Sequence, residues 1–155
     1  MTGLDDQETK TAAYWSTPFK TICLGMNVSG DLNWLGLNMD STSLHSLIAR
    51  GQFINSTTTT RADWKDLIAE SSLQINCNKR GINVICNNGR VYARIGILSD
   101  NSACDGCDSG IVFGGFGKKY KYCNQPEPNI CGNFAGCGGD NGDKNIKAIG
   151  YILVR

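Results

Sequence analysis

The 155 residues amount to one ordinary domain, and a charged fraction of 19% with a net charge of +1 excludes a protein built around nucleic-acid phosphates or an acidic membrane face. No apolar run reaches the ~18 residues of a membrane-crossing helix. Nineteen glycines with few charges point to many turns rather than to disorder.

Residues 1–13 are polar and acidic and read as a flexible leader; they lack the basic and apolar regions of a signal peptide, so an exported chain would have lost its signal. Residues 14–155 read as a single domain. FKTICLGMNV (19–28) alternates apolar and polar residues and reads as a strand. Gly30 and Asp31 mark a turn, and NWLGLNM (33–39) reads as a second strand.

Two short helices follow. The first takes its cap from the hydroxyls of Ser41, Thr42 and Ser43, sets Leu44, Leu47 and Ile48 on one face, and stops at Gly51. The second starts at Thr60, with Asp63 placed as in a capping box, and repeats Trp64, Leu67 and Ile68 at helical spacing.

LQINC (73–77), a turn at 78–81, INVIC (82–86) and RVYARIGIL (90–98) read as strands, with Asn88-Gly89 as a type I′ hairpin turn. Residues 99–143 are rich in Gly, Cys, Asp and Asn and read as a long loop region held by disulfides or a metal ion. NIKAIGYILVR (145–155) reads as a last strand paired inside the sheet. The expected fold class is α+β: a twisted, mainly antiparallel sheet, two short helices and a long disulfide-stabilised loop region.

The eight cysteines (Cys23, Cys77, Cys86, Cys104, Cys107, Cys123, Cys131 and Cys137) are read as disulfide partners in an oxidising, extracellular compartment. Cys104 and Cys107 form a CxxC, but no helix starts beside it as a redox motif needs. A zinc site needs a second good pair, and Cys131 and Cys137 stand too far apart to supply one.

Two oxygen-rich clusters are candidate calcium ligands: Asp100, Asn101, Asp105 and Asp108, and Asp140, Asn141, Asp143 and Asn145. The same residue types also simply make turns. The glycines before Lys118 lack the spacing of a phosphate loop. The run 118–122 interleaves lysines with Tyr120 and Tyr122, which suits an acidic glycan or a solvated loop. Trp15, Trp34 and Trp64 are expected at the core or its edge; Trp34 or Tyr120 is the candidate for stacking on a sugar. Asn27 and Asn55 sit in glycosylation sequons, a pattern that a chain rich in Asn, Ser and Thr also produces by chance. His45 is the only histidine and no nucleophile motif accompanies it, so no enzyme is expected.

FKTICLGMNV, WKDLIAESSLQINCNKRGINV, ARIGILSDN with CDGCDSGIVFGG, and ICGN before DNGDKNIKAIGYILVR together resemble a group of extracellular proteins of corals and other marine animals, of the skeletal organic matrix type. More distantly, the second half resembles the C-terminal half of intelectins and fibrinogen-like domains. The parts alike are a strand (92–98), a Cys-containing loop (104–107), a Gly-rich segment (114–117), a Cys-Gly pair (131–132) and a closing strand (146–155). The Gly-Gly-Trp-Thr opening of fibrinogen-like domains and the His-containing ligand stretch of intelectins are absent, so ligands are not carried over by position.

The resemblance implies a secreted recognition domain in which calcium sits in the loop region. The expected function is therefore non-catalytic, lectin-like binding of a carbohydrate or extracellular glycoprotein, with calcium as a bridge. The alternative is a structural or adhesive matrix protein acting through protein–protein contacts, including contacts with its own copies.

Overall fold

The computed structural model describes residues 9–86, 91–117 and 130–155. Helix α1 (Ala12–Ser16) begins inside the expected leader. Strand β1 (Phe19–Val28) has the bounds its alternation predicts. Ile22, Leu24 and Met26 are fully buried, whereas Thr21, Cys23 and Asn27 at the alternate positions are only half-buried, so the period of two puts one face into the core. Ser29 and Gly30 take positive φ, and the Gly30 N–H donates to Asn27 Oδ1 at 2.9 Å; this tight turn returns the chain into β2 (Asp31–Ser41). Strand β9 (Ile149–Val154) flanks β1 on its other side, and the three form an antiparallel sheet in the order β2-β1-β9.

Both expected helices are present. Ser43 Oγ caps α2 (Leu44–Ala49) by accepting from the Ser46 N–H at 3.0 Å. Thr60 and Asp63 close a reciprocal capping box on α3 (Arg61–Lys65). Hydrogen bonds from the Thr60 N–H and hydroxyl hold the Asp63 carboxyl below its ordinary pKa.

A second antiparallel sheet runs β3 (Ile54–Asn55), β4 (Asn76–Ile85), β5 (Val91–Asp100), β6 (Ser109–Gly117), β7 (Cys131–Ala135) and β8 (Lys144–Lys147), neighbours in that order. The chain is therefore α+β, with strand dominating and the helices short.

Three expectations are corrected. The turn expected at 78–81 lies inside β4: Cys77 and Asn78 take positive φ and the register slips between Asn76 and Lys79, so the irregularity is a bulge that keeps its partner strand. The expected loop region 99–143 contains β6 and β7, two interior strands of the sheet. Its Ile111, Val112 and Phe113 are buried. Gly110 is what lets them pack, because a Cβ there would stand 2.8 Å from Leu98 Cδ2 and 2.9 Å from Phe134 Cε1. Finally, the single strand expected at 145–155 is two. It breaks at Ala148 and passes from one sheet to the other. The expected β4–β5 hairpin is present, although its turn, 87–90, lies outside the described residues.

The main core lies between the sheets. Ile22, Leu24, Met26 and Leu37 meet Ile82, Ile95, Ile97, Ile111 and Phe113, and the helical segments add Leu44, Leu47, Trp64, Leu67 and Ile68. A smaller cluster gathers Val84, Val91, Ala93, Leu98, Val112 and Phe134 around Cys86 and Cys107. This cluster depends on a curl in β4. A straight strand from Cys77 to Cys86 would span about 30 Å. Instead, the sulfurs of Cys77, Cys86 and Cys107 lie within 4.8 Å of one another. Gly81 and Asn83 take positive φ along the way, and Lys79 Nζ reaches the Ile85 carbonyl at 3.0 Å.

Candidate functional site

The acidic loops are held together from within. Asp100 is buried; its Oδ1 accepts from the Asn101 N–H at 2.8 Å, and its Oδ2 accepts from the Ser102 hydroxyl and from the N–H groups of Asp105 and Gly106. Asp105 Oδ1 accepts from the same Ser102 hydroxyl. Asp108 is buried, and Asn101 gives its carbonyl to Asn76 Nδ2. Asp143 Oδ1 accepts from the Gly138 N–H, and Asn141 Nδ2 donates to the Glu70 carbonyl.

Asp140 is the centre of its loop. Its Oδ2 receives Arg61 and Lys65 from α3 and its Oδ1 receives the Leu73 N–H. Burial pushes its pKa up, but the hydrogen bonds from Lys65, the Leu73 N–H and Arg61 outweigh burial and hold it at about 2. Such a group contributes stability that is present above its unfolded value of 3.8 and is lost as pH falls towards 2. Acidifying from pH 4 to 2 is therefore expected to cost the wild type on the order of 1–2 kcal/mol more than Asp140→Asn. Melts across that window measure it, and parallel acid profiles for the two proteins would remove the contribution.

Two disulfides are formed, Cys77–Cys104 and Cys86–Cys107, and Cys137 is also disulfide-bonded. The CxxC cysteines thus bond to other parts of the chain, as expected. Cys123 lies outside the described residues. Cys23 and Cys131, expected in bridges, are free thiols. Opposite sides of one sheet separate them. Cys23 alternates away from the core, whereas a Cβ on Gly150, paired with the inward Met26, would stand 2.6 Å from Cys131 Sγ. Burial pushes the Cys131 thiol up to about 11.

The outer face of the three-stranded sheet carries a row of exposed apolar and aromatic side chains. Register sets three rows across it: Leu32–Asn27–Ile149, Trp34–Gly25–Tyr151 and Gly36–Cys23–Leu153. In the middle row the indole lies on a glycine. A Cβ on Gly25 would fall 2.6–2.9 Å from Cζ3, Cε3 and Cη2 of Trp34, so the six-membered ring covers the Gly25 backbone. Trp34 nevertheless stays 50% exposed. The Tyr151 ring stands beside it, centroids 6.2 Å apart and planes 37° apart. Leu32, Ile149 and Leu153 are exposed around the pair.

Of the three tryptophans, only Trp64 is in the core. Trp15 and Trp34 are half exposed, Trp15 packing on Tyr14 and His45 and Trp34 on Gly25. Tyr120 and the run 118–122 lie outside the described residues. Asn55 is exposed and Asn27 half-buried. An open cleft of about 330 Å³ lies beside α3, lined by Asn33, Lys65, Asp66, Ile68, Glu70 and Asn141. In it Glu70 Oε2 accepts from Asn141 Nδ2 at 3.4 Å. Among the described residues no helix is long and apolar enough to cross a membrane.

Sequence reasoning missed Gly25 and Tyr151, whose roles depend on a pairing between distant strands. Compared with protein-family models, with curated proteins and with solved structures, the chain matches none of them.

Proposed function

We propose that this is a non-catalytic, secreted carbohydrate-binding domain whose recognition surface is the outer face of β2-β1-β9. The exposed indole of Trp34, laid flat on Gly25, carries the reading. A sugar ring has an apolar face of C–H groups and a polar rim. Stacking that face on an aromatic ring releases water from both, and the rim hydroxyls keep partners of their own. Tyr151 widens the platform, and Asn27 in the neighbouring row offers amide groups. The disulfides suit an oxidising compartment, and the resemblance to extracellular recognition domains points the same way.

Trp34→Ala is expected to weaken carbohydrate binding by about tenfold to a hundredfold, which is about 1.4–2.8 kcal/mol. The fold should survive, because the side chain is half exposed. A glycan array followed by titration with the best hit, for wild type and variant, measures it. A blank array for the wild type, or equal affinities, would sink the reading. Stacking on Trp34 needs no cation, so binding should persist in EDTA. Loss of binding in EDTA, with a melting midpoint raised by Ca²⁺, would instead move the site to the loops of Asp100–Asp108 or Asp140–Asp143.

A second reading rests on Leu32, Ile149 and Leu153, which extend the patch beyond what one sugar ring covers. It makes the same face a protein contact of a structural or adhesive matrix protein. Concentration-dependent association that free sugars do not inhibit would favour it.

A further inference from the structure

We propose that Cys77, Cys86, Cys104 and Cys107 are a redox-gated zinc site: two disulfides hold the curl of β4 when the chain is oxidised, and one Zn²⁺ bound by four thiolates replaces them when it is reduced. The geometry comes first. The sulfurs of Cys77, Cys86 and Cys107 lie within 4.8 Å of one another, and Cys104, bonded to Cys77, stands just outside that group, so reduction must let it turn in as the fourth ligand. Cys77 Sγ and Cys107 Sγ belong to different disulfides yet stand 3.9 Å apart. A tetrahedral site with Zn–S bonds of about 2.3 Å has sulfur–sulfur edges of about 3.8 Å. The unbonded pair therefore already stands at a tetrahedral edge. The two bonded pairs reach the same spacing once reduction lets their side chains turn apart.

The ligand set has the composition of a structural zinc site. Cys104 and Cys107 are a pair with a two-residue gap on one loop. The second pair, which spacing along the sequence does not supply, comes from the curl that folds Cys86 back towards Cys77. Thiolates select zinc over hard cations such as calcium. Cys86 and Cys107 are each 1% exposed, among Val84, Val91 and Phe134, which shields bound metal from water. Cys77 and Cys104 are half-buried, leaving a way in from the loop side.

The exchange balances. Two equivalents of a dithiol reductant pass four electrons and four protons to the two disulfides, giving four thiols, and each dithiol leaves as its own disulfide. Zn²⁺ then displaces the four thiol protons and forms four Zn–S bonds. Two equivalents of a small-molecule disulfide take the four electrons back by exchange and leave as thiols, with protons from water; the protein disulfides re-form and the ion is released. Either state pins the ends of β4 together, so the curl and the cluster around it persist across a change of redox compartment.

The test uses the full chain reduced by a phosphine without oxygen and titrated with Co²⁺, then Zn²⁺. The expected result is one Co²⁺ per chain with the visible absorption of a tetrahedral thiolate complex, displaced by one equivalent of Zn²⁺. Cys23→Ser with Cys131→Ser should leave it unchanged, and Cys107→Ser should lose it. Because Cys107→Ser also disturbs a packed cluster, alkylation of the zinc-loaded wild type gives a second readout. Cys77, Cys86, Cys104 and Cys107 should resist alkylation with zinc and react after chelation. Absence of the tetrahedral spectrum at one equivalent, or zinc protection of a different set of cysteines, would overturn the proposal.

Discussion

Trp64→Ala is expected to lower the unfolding free energy by about 3–5 kcal/mol, the range for truncating a large buried aromatic. Trp64 is completely buried in the main core, where α3 packs against β5. Its Nε1–H donates to Thr59 Oγ1 at 3.1 Å, and that hydroxyl pairs with Ser56 Oγ at 2.8 Å. The substitution therefore opens a cavity and leaves a buried hydroxyl short of a donor. Urea denaturation should show a lower midpoint with an unchanged slope. A loss below about 1 kcal/mol would mean that the core closes around the gap, contrary to its tight packing.

Asn133→Leu is the second large effect, about 3 kcal/mol or more, and it tests polar rather than apolar packing. Asn133 is fully buried on β7. Its Oδ1 accepts from the Ser72 N–H at 2.9 Å, and its Nδ2 donates to the Ser72 carbonyl at 2.8 Å and the Gly110 carbonyl at 2.9 Å. One side chain thus satisfies the backbone of the 71–74 connector deep inside the protein. Leucine has nearly the same size and none of these groups, so it strands buried N–H and C=O groups at about 1–3 kcal/mol each. Hydrogen exchange should show the Ser72 amide losing protection. An amide as slow as in the wild type would show that another partner takes over.

The strands that could be read from the sequence were those with plain alternation. Ile22, Leu24 and Met26 fix β1, and the parity of Leu35 and Leu37 leaves Trp34 on the opposite face. By that rule Trp34 is an outward residue even though tryptophan as a type favours the core. The capping residues of α2 and α3 were equally legible, because Ser43, Thr60 and Asp63 act within one turn of their helices. Strand β6 was not legible. Gly110, which reads as loop, turns out to make room for Leu98 and Phe134 on neighbouring strands, a need visible only once those strands are placed. The site was half legible for the same reason. Trp34 could be named, but Gly25 beneath it and Tyr151 beside it follow from registers that join distant stretches of chain. The cysteine cluster likewise depends on a curl set by residues at positive φ, such as Gly81 and Asn83.

The passage of the chain at Ala148 from one sheet to the other bears on the order in which the molecule is built. Strand β9 pairs with β1 across almost the whole chain, with Ile22 opposite Val154. Contacts so distant in sequence are slow to find, because the closure entropy of a long loop precedes any reward. During synthesis β1 waits beside β2 with one edge open, and Ile22, Leu24 and Met26 lack part of their cover until β9 has been made and has paired. The row that carries Trp34 is complete only when Tyr151 arrives. Nascent chains thus pass through a stage with an unpaired strand edge, prone to association.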